Sequence, residues 1–159
     1  MVLKRQKGFS LIELLIVVAI ILIIASIAIP NLLRSRIAAN EASAVGSMRS
    51  INTAMVTYAS TYPSTGFAAN LACLGPFAAG GQPSSTSSGL LDNVLGCSQA
   101  ACNKSGYSFV VSGNLSAYNT KGDPVSPGNS GQRHFYSDAS GVIRFNATAA
   151  ATSLDSPLQ

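Results

Sequence analysis

The sequence predicts an α+β chain: one long N-terminal helix packed on a C-terminal antiparallel sheet of three or four strands. Three observations carry that reading. An apolar run fills residues 9–29, a helical three-four periodicity follows over 37–62, and from Tyr107 apolar and polar residues alternate.

The apolar run comes first. Lys4, Arg5 and Lys7 precede it, and among its 21 residues only Ser10, Glu13 and Ser26 are polar. As a helix it extends about 31 Å, enough to cross a hydrocarbon core of roughly 30 Å. The leading cations predict a cytoplasmic N-terminus with the remainder of the chain exported, although Arg34 and Arg36 beyond the span reduce the charge asymmetry. Glu13 is the exception within the run. A carboxylate in such a segment costs roughly 2.5–3.5 kcal/mol even on insertion-derived scales, so it calls for a partner or a proton. No cation lies inside the span. A cut between Gly8 and Phe9 would supply one, because the new α-amino group at Phe9 would stand one helical turn from Glu13. The helix N-terminus favours the acid as well. The expectation is that this amine in one copy pairs with Glu13 of another, setting attraction and axial register together.

The stretch Lys-Gly-Phe-Ser-Leu-Ile-Glu-Leu-Leu-Ile-Val-Val-Ala-Ile, closed by Ala-Ile-Pro-Asn-Leu, resembles the N-terminus of type IV prepilins and pseudopilins. The resemblance covers about the first fifth of the chain. It implies a pilin-like fold, cleavage after Gly8 by a prepilin peptidase, N-methylation of Phe9, and Glu13 as the assembly glutamate. It also implies a homo-oligomeric helical filament with other pilin subunits, an inner-membrane assembly platform, and a bilayer that holds the subunit beforehand. A secretory signal peptide is the alternative, since Ser26-Ile27-Ala28 has the small-x-small form of a peptidase site. The run exceeds the usual 7–15 residue apolar region, and a buried acid has no use in a discarded segment.

On this reading residues 1–8 are a cleaved leader, 9–29 the transmembrane and assembly helix, and 30–62 its amphipathic half. Residues 63–105 form an irregular connector, 106–146 the sheet, and 147–159 a frayed tail. Pro30 lacks an N–H and crowds the carbonyl of Ser26, predicting a kink or loosening; in filaments of similar proteins the helix partly unwinds here, which carries over to residues 22–31. Beyond it Ile37, Ala44, Met48, Ile51, Met55, Tyr58 and Tyr62 share one helical face. Arg36, Asn40, Ser43, Ser47, Ser50, Thr57 and Thr61 share the other. Pro63 biases Tyr62 out of helix, so the helix is expected to end near Thr61.

The connector is rich in Gly, Pro and Ser, with a low-complexity stretch over 75–89 that reads as a flexible linker or a variable surface. Residues 90–95 read as a short helix stopped by Gly96. Strands are expected at 107–111, 115–120, 133–137 and 142–145, with Asp138-Ala139-Ser140-Gly141 as a hairpin turn. Tyr107, Phe109 and Val111 are expected to face the helix. Asp123 reads as a loop residue.

Composition excludes several functions. The formal charge is +4, but without Lys4, Arg5 and Lys7 seven cations oppose six acids. The basicity belongs to the leader, and no nucleic-acid site is evident. Three cysteines, Cys73, Cys97 and Cys102, in an exported domain imply one disulfide and one thiol, with any of the three pairings open. A zinc site with the single histidine, His134, lacks the C-x2-C spacing such sites use. No serine sits in a nucleophile-elbow context, and no metal, cofactor or catalytic residue is expected. Type II secretion pseudopilins often carry an acidic calcium-binding C-terminal loop; here that region holds only Asp123, Asp138 and Asp155. The reading is a structural filament subunit of a type IV pilus, with a pseudopilus subunit second. An exported binding domain or enzyme using the span as an anchor stands third, since an anchor has no use for Glu13.

Overall fold

The computed structural model describes residues 8–158. Most of the predicted leader, with Lys4, Arg5 and Lys7, lies outside the described residues. The elements are α1 (Leu11–Thr61), α2 (Leu71–Leu74), β1 (Cys102–Lys104), β2 (Tyr107–Gly113), β3 (Tyr118–Pro124), β4 (His134–Asp138) and β5 (Arg144–Asn146). The chain divides into two units, Met1–Ser35 and Arg36–Gln159.

In the first unit the large apolar side chains of α1 have no cover among the described residues: Leu11 is 79% exposed and Ile24 61%. Among the described residues this is the one helix long and apolar enough to cross a membrane. The partial unwinding expected around Pro30 is not seen: residues 22–31 remain helical. Proline removes one donor, the partner of the Ser26 carbonyl. Unwinding around it would orphan several more backbone groups, so continuity leaves fewer polar atoms unsatisfied.

In the second unit α1 covers a sheet ordered β1-β2-β3-β4-β5, every neighbouring pair antiparallel. That is five strands, against the three or four expected. Ala44, Met48, Ile51, Met55 and Tyr58 are fully buried or nearly so, as their spacing predicts. They meet the inward alternation of β2, where Tyr107, Phe109 and Val111 are buried, together with Phe135 of β4. Each face of an antiparallel strand takes every second residue, so Val110 is left on the outer side at 40% exposure.

Two polar ties join α1 to β4 and the segment before it. Glu41, predicted by no apolar pattern, is buried on the core face of α1. Its Oε1 accepts from the backbone N–H groups of Gln132 (2.9 Å) and Arg133 (3.2 Å), and its Oε2 from Arg133 Nε at 2.7 Å. The Arg133 guanidinium lies over the rings of Phe135 and Phe145, 5.7 and 5.6 Å from their centroids. About three turns further along, buried Asn52 donates to Ser137 Oγ at 2.8 Å and accepts from Tyr118 OH at 3.3 Å. Ser47, expected on the polar side of the helix, is also buried.

The connector differs most from expectation. It contains α2, whose first turn is capped by Asn70 accepting from Cys73 N–H. Residues 90–95 form a turn, not a helix: Asp92 Oδ1 accepts from Leu95 N–H and the Asp92 carbonyl from Gly96 N–H. Six residues give too few bonds to offset helix nucleation, while burying Leu91 and Leu95 settles the local path. Gly96 serves a different end from the one predicted. A Cβ there would lie 2.2 Å from Gly75 Cα, so two backbones meet where only glycines fit. The serine-rich stretch is no free linker either: Ser88 donates through both N–H and Oγ to the Cys73 carbonyl, and Tyr58 OH donates to the Ser85 carbonyl.

Cys97 and Cys102 form the disulfide, leaving Cys73 as a half-buried thiol. The bridge delivers the chain into β1, a strand hidden in what reads as connector because it is only three residues long. Asp123 lies within β3, not in a loop, and its Oδ1 is 2.6 Å from His134 Nδ1. The last residues do not fray. Ala151 is buried, Leu158 N–H donates to the Ile143 carbonyl, and Asn146 Nδ2 donates to Asp155 Oδ1 at 2.8 Å. This segment covers the outer edge of β5, with Arg144 bridged to Pro157. An edge strand left bare would invite foreign pairing.

Burial pushes the Glu41 carboxyl up, but the N–H groups of Gln132 and Arg133 and the guanidinium outweigh it, leaving it below its ordinary value of 4.5. A depressed folded value stabilises the fold fully above pH 4.5, and that contribution disappears as pH falls through the folded value. Glu41→Gln is expected to lose roughly 1–2 kcal/mol at neutral pH, the half-exposed arginine limiting the effect. Urea unfolding of the detergent-solubilised chain, followed by tyrosine circular dichroism, should show the gap to wild type closing toward pH 3. A gap of equal size at pH 3 and pH 7 would contradict this account.

Candidate assembly site

The site begins where the described backbone begins. Gly8 and Phe9 are exposed and outside any helix, and a Cβ placed on Gly8 would meet no heavy atom within 4 Å. Phe9 is 83% exposed. Helix α1 starts two residues later at Leu11.

Glu13 lies in the first turn. Its Oε2 accepts from the backbone N–H of Ser10 at 2.9 Å, and the Leu14 N–H reaches the Ser10 carbonyl at 3.3 Å. Ser10 therefore stands at the N-cap and Glu13 at the third helical position, the S-x-x-E spacing of a capping box. The first N–H groups of a helix have no intrahelical acceptor, and the positive end of its dipole favours a carboxylate there. The uncleaved chain thus gives Glu13 a partner within its own backbone. The sequence reading weighs a cation, a proton and the helix dipole for Glu13 and passes over this cap, although Ser10-Leu11-Ile12-Glu13 displays it.

The remaining residues singled out by the sequence do not join this site. Pro30 is interior to α1. The disulfide removes Cys97 and Cys102 as thiolates, and His134 is engaged with Asp123, so the zinc constellation is not assembled. The three C-terminal aspartates are held apart by separate duties. Asp123 meets His134; Asp138 Oδ1 accepts from Ser140 N–H; Asp155 Oδ2 accepts from Thr152 N–H and Oγ1. Hydrogen bonds from Ser140 keep the Asp138 carboxyl below the ordinary range, and those from Thr152 and Asn146 do so for Asp155. What the N-terminus offers is an exposed glycine, an aromatic residue beyond it, and a carboxylate in the first turn of a helix whose large apolar side chains have no cover among the described residues.

Residues 3–29 match the family described as the prokaryotic N-terminal methylation motif. The chain is 60% identical over 38 residues to the type IV wide pilus major component PilA4 of Thermus thermophilus, covering 24% of this chain and 29% of that protein. It is 36% identical over 64 residues to the type II secretion system core protein G of Pectobacterium carotovorum, covering 38% and 41%. To the type IV major pilin protein PilA of Myxococcus xanthus it is 43% identical over 54 residues, covering 34% and 24%. The matches thus span between about a quarter and two fifths of those relatives' lengths. No solved structure gives a significant match.

The cap can be tested in detergent micelles by amide exchange. Ser10 N–H should exchange several-fold more slowly than Phe9 N–H in the uncleaved chain. Glu13→Ala should abolish the protection, and Glu13→Gln, which keeps an acceptor oxygen, should retain part of it. Protection untouched by Glu13→Ala would remove the cap.

Proposed function

With an N-terminus of the type IV prepilin and pseudopilin kind as premise, we propose that this chain is a structural subunit of a type IV pilus. The observation that carries the reading is the conjunction of a prepilin-type motif over residues 3–29 with an apolar helix left uncovered from Leu11 to Ile29. An apolar surface of that extent is stable only in lipid or against other helices. A subunit that moves from one setting to the other uses the same surface twice.

The subunit waits in the inner membrane with its N-terminus in the cytoplasm and residues 36–159 outside. A prepilin peptidase cuts the Gly8–Phe9 bond, and the amine at Phe9 is methylated. That nitrogen lies one residue before the N–H that Glu13 holds. On joining the filament Glu13 exchanges the neutral N–H for the cationic amine of a neighbouring copy, a bond roughly twice as strong. The exchange replaces lipid contacts with helix–helix contacts and fixes the axial register, while an assembly platform in the inner membrane supplies and orients the subunits. No catalytic residue is assigned, because the work is done by packing.

A type II secretion pseudopilin is the second reading, favoured by the match to core protein G, the longest of the three reported alignments. Against it, Asp123, Asp138 and Asp155 are each committed locally and do not resemble a calcium loop.

Mass analysis of the assembled protein should find methylated Phe9 as the first residue. Glu13→Ala is expected to stay in the membrane with an intact C-terminal domain and to be lost from sheared filaments. An N-terminus at Ile29, or normal filaments from Glu13→Ala, would overturn the proposal.

A further inference from the structure

Outside the N-terminus, the unit of residues 36–159 carries two exposed features on opposite borders of its sheet. The first is a groove between the exposed side of α1 and the turn after the serine-rich stretch, lined by Arg49, Ser50, Thr53 and Thr57 with Leu90 and Leu91. It lies on the β1 border, because Asp92, the next residue, bonds Lys104 of β1 at 3.2 Å. Arg49 is the only charged residue in the groove, and none of the ion pairs found among the described residues uses it.

The second feature is a turn on the β5 border. Asp155 takes N–H and hydroxyl bonds from Thr152, while the Asn146 amide and the Arg144 guanidinium fix the turn to β5. Held on this frame is Leu154, 95% exposed, the most exposed of the large apolar side chains. A fully exposed leucine on a floppy end would be unremarkable. On a turn tied at four points it is already ordered, so docking it costs little conformational entropy.

We propose that this turn is a docking element for a second copy of the chain: Leu154 of one copy seats against Leu90 of the next, with Asp155 facing Arg49. Apolar meets apolar and anion meets cation. The two surfaces are different patches on opposite borders, so each copy donates one and accepts the other. Such a contact is heterologous, and it propagates into an open helical array instead of closing as a dimer. The proposal rests on the filament reading and adds to it a contact between the exported domains, independent of Glu13.

Cysteine pairing in assembled filaments tests it. In a Cys73→Ser background, Leu154→Cys and Ser50→Cys are introduced together into the full chain, and sheared filaments are oxidised and run without reductant. A ladder extending beyond the dimer, absent from either single variant, is the expected result. Leu154→Asp and Arg49→Glu should each deplete sheared filaments, whereas Leu115→Asp, at a position 68% exposed on the β2–β3 turn, should not. Filaments that give no ladder, a product that stops at the dimer, or equal loss with Leu115→Asp would each overturn the contact while leaving the filament reading intact. No filaments from the parent chain would overturn the filament reading and the contact with it.

Discussion

The structure depends on an imbalance that this chain cannot correct by itself. From Leu11 to Leu33 the helix is apolar apart from Glu13, Ser26 and Asn31, and among the described residues its large apolar side chains are exposed. At roughly 25 cal/mol for each Å² of apolar surface, exposing the sixteen large apolar side chains from Leu11 to Leu33 to water would cost more than a domain's net stability of about 5–15 kcal/mol. The unit of residues 36–159 could not offset that deficit. The apolar half must therefore lie in lipid or among similar helices, and under the proposed function the chemistry of the N-terminus decides which.

The second unit meets the opposite requirement, to remain folded in water with little charge. It does so by closing its borders. The disulfide and β1 close one side of the sheet, the C-terminal turn closes the other, and the glycine pair Gly75–Gly96 lets the connector lie flat on the core. Polar ties through Glu41 and Asn52 then fix how the helix sits on β4, a matter apolar burial leaves loosely specified.

Long periodic signals were legible in the residues and short or non-local ones were not. The end of α1 at Thr61 could be read from Pro63, and the inward face of β2 from Tyr107, Phe109 and Val111. Strand β1 could not, since three residues carry no period and its pairing depends on β2 and a disulfide left open by spacing alone. The C-terminal segment looked frayed because Ala, Thr and Ser pack nothing large; Asp155 organises it through bonds to residues up to eleven positions away. Glu41 was missed for a related reason. An acid on the core face of a helix makes sense only once Gln132 and Arg133, some ninety residues on, are brought to it.

Glu13 and Glu41 stand on the same helix, and the difference in their partners separates scaffold from function. Glu41 accepts three bonds, one from a guanidinium that is itself held against two aromatic rings, and removing any partner would strand a buried charge. A carboxylate so saturated cannot exchange. Glu13 accepts one bond described here, from a neutral backbone N–H at an exposed helix end. One such bond is enough to lower the cost of carrying the acid in an apolar segment, yet weak enough to yield to a cation. An acid satisfied as fully as Glu41 would never leave its own chain, and an acid with no partner at all would oppose entry into the bilayer. The single cap from Ser10 lies between those limits, which is what the proposed function requires of a subunit that waits in the membrane and then leaves it.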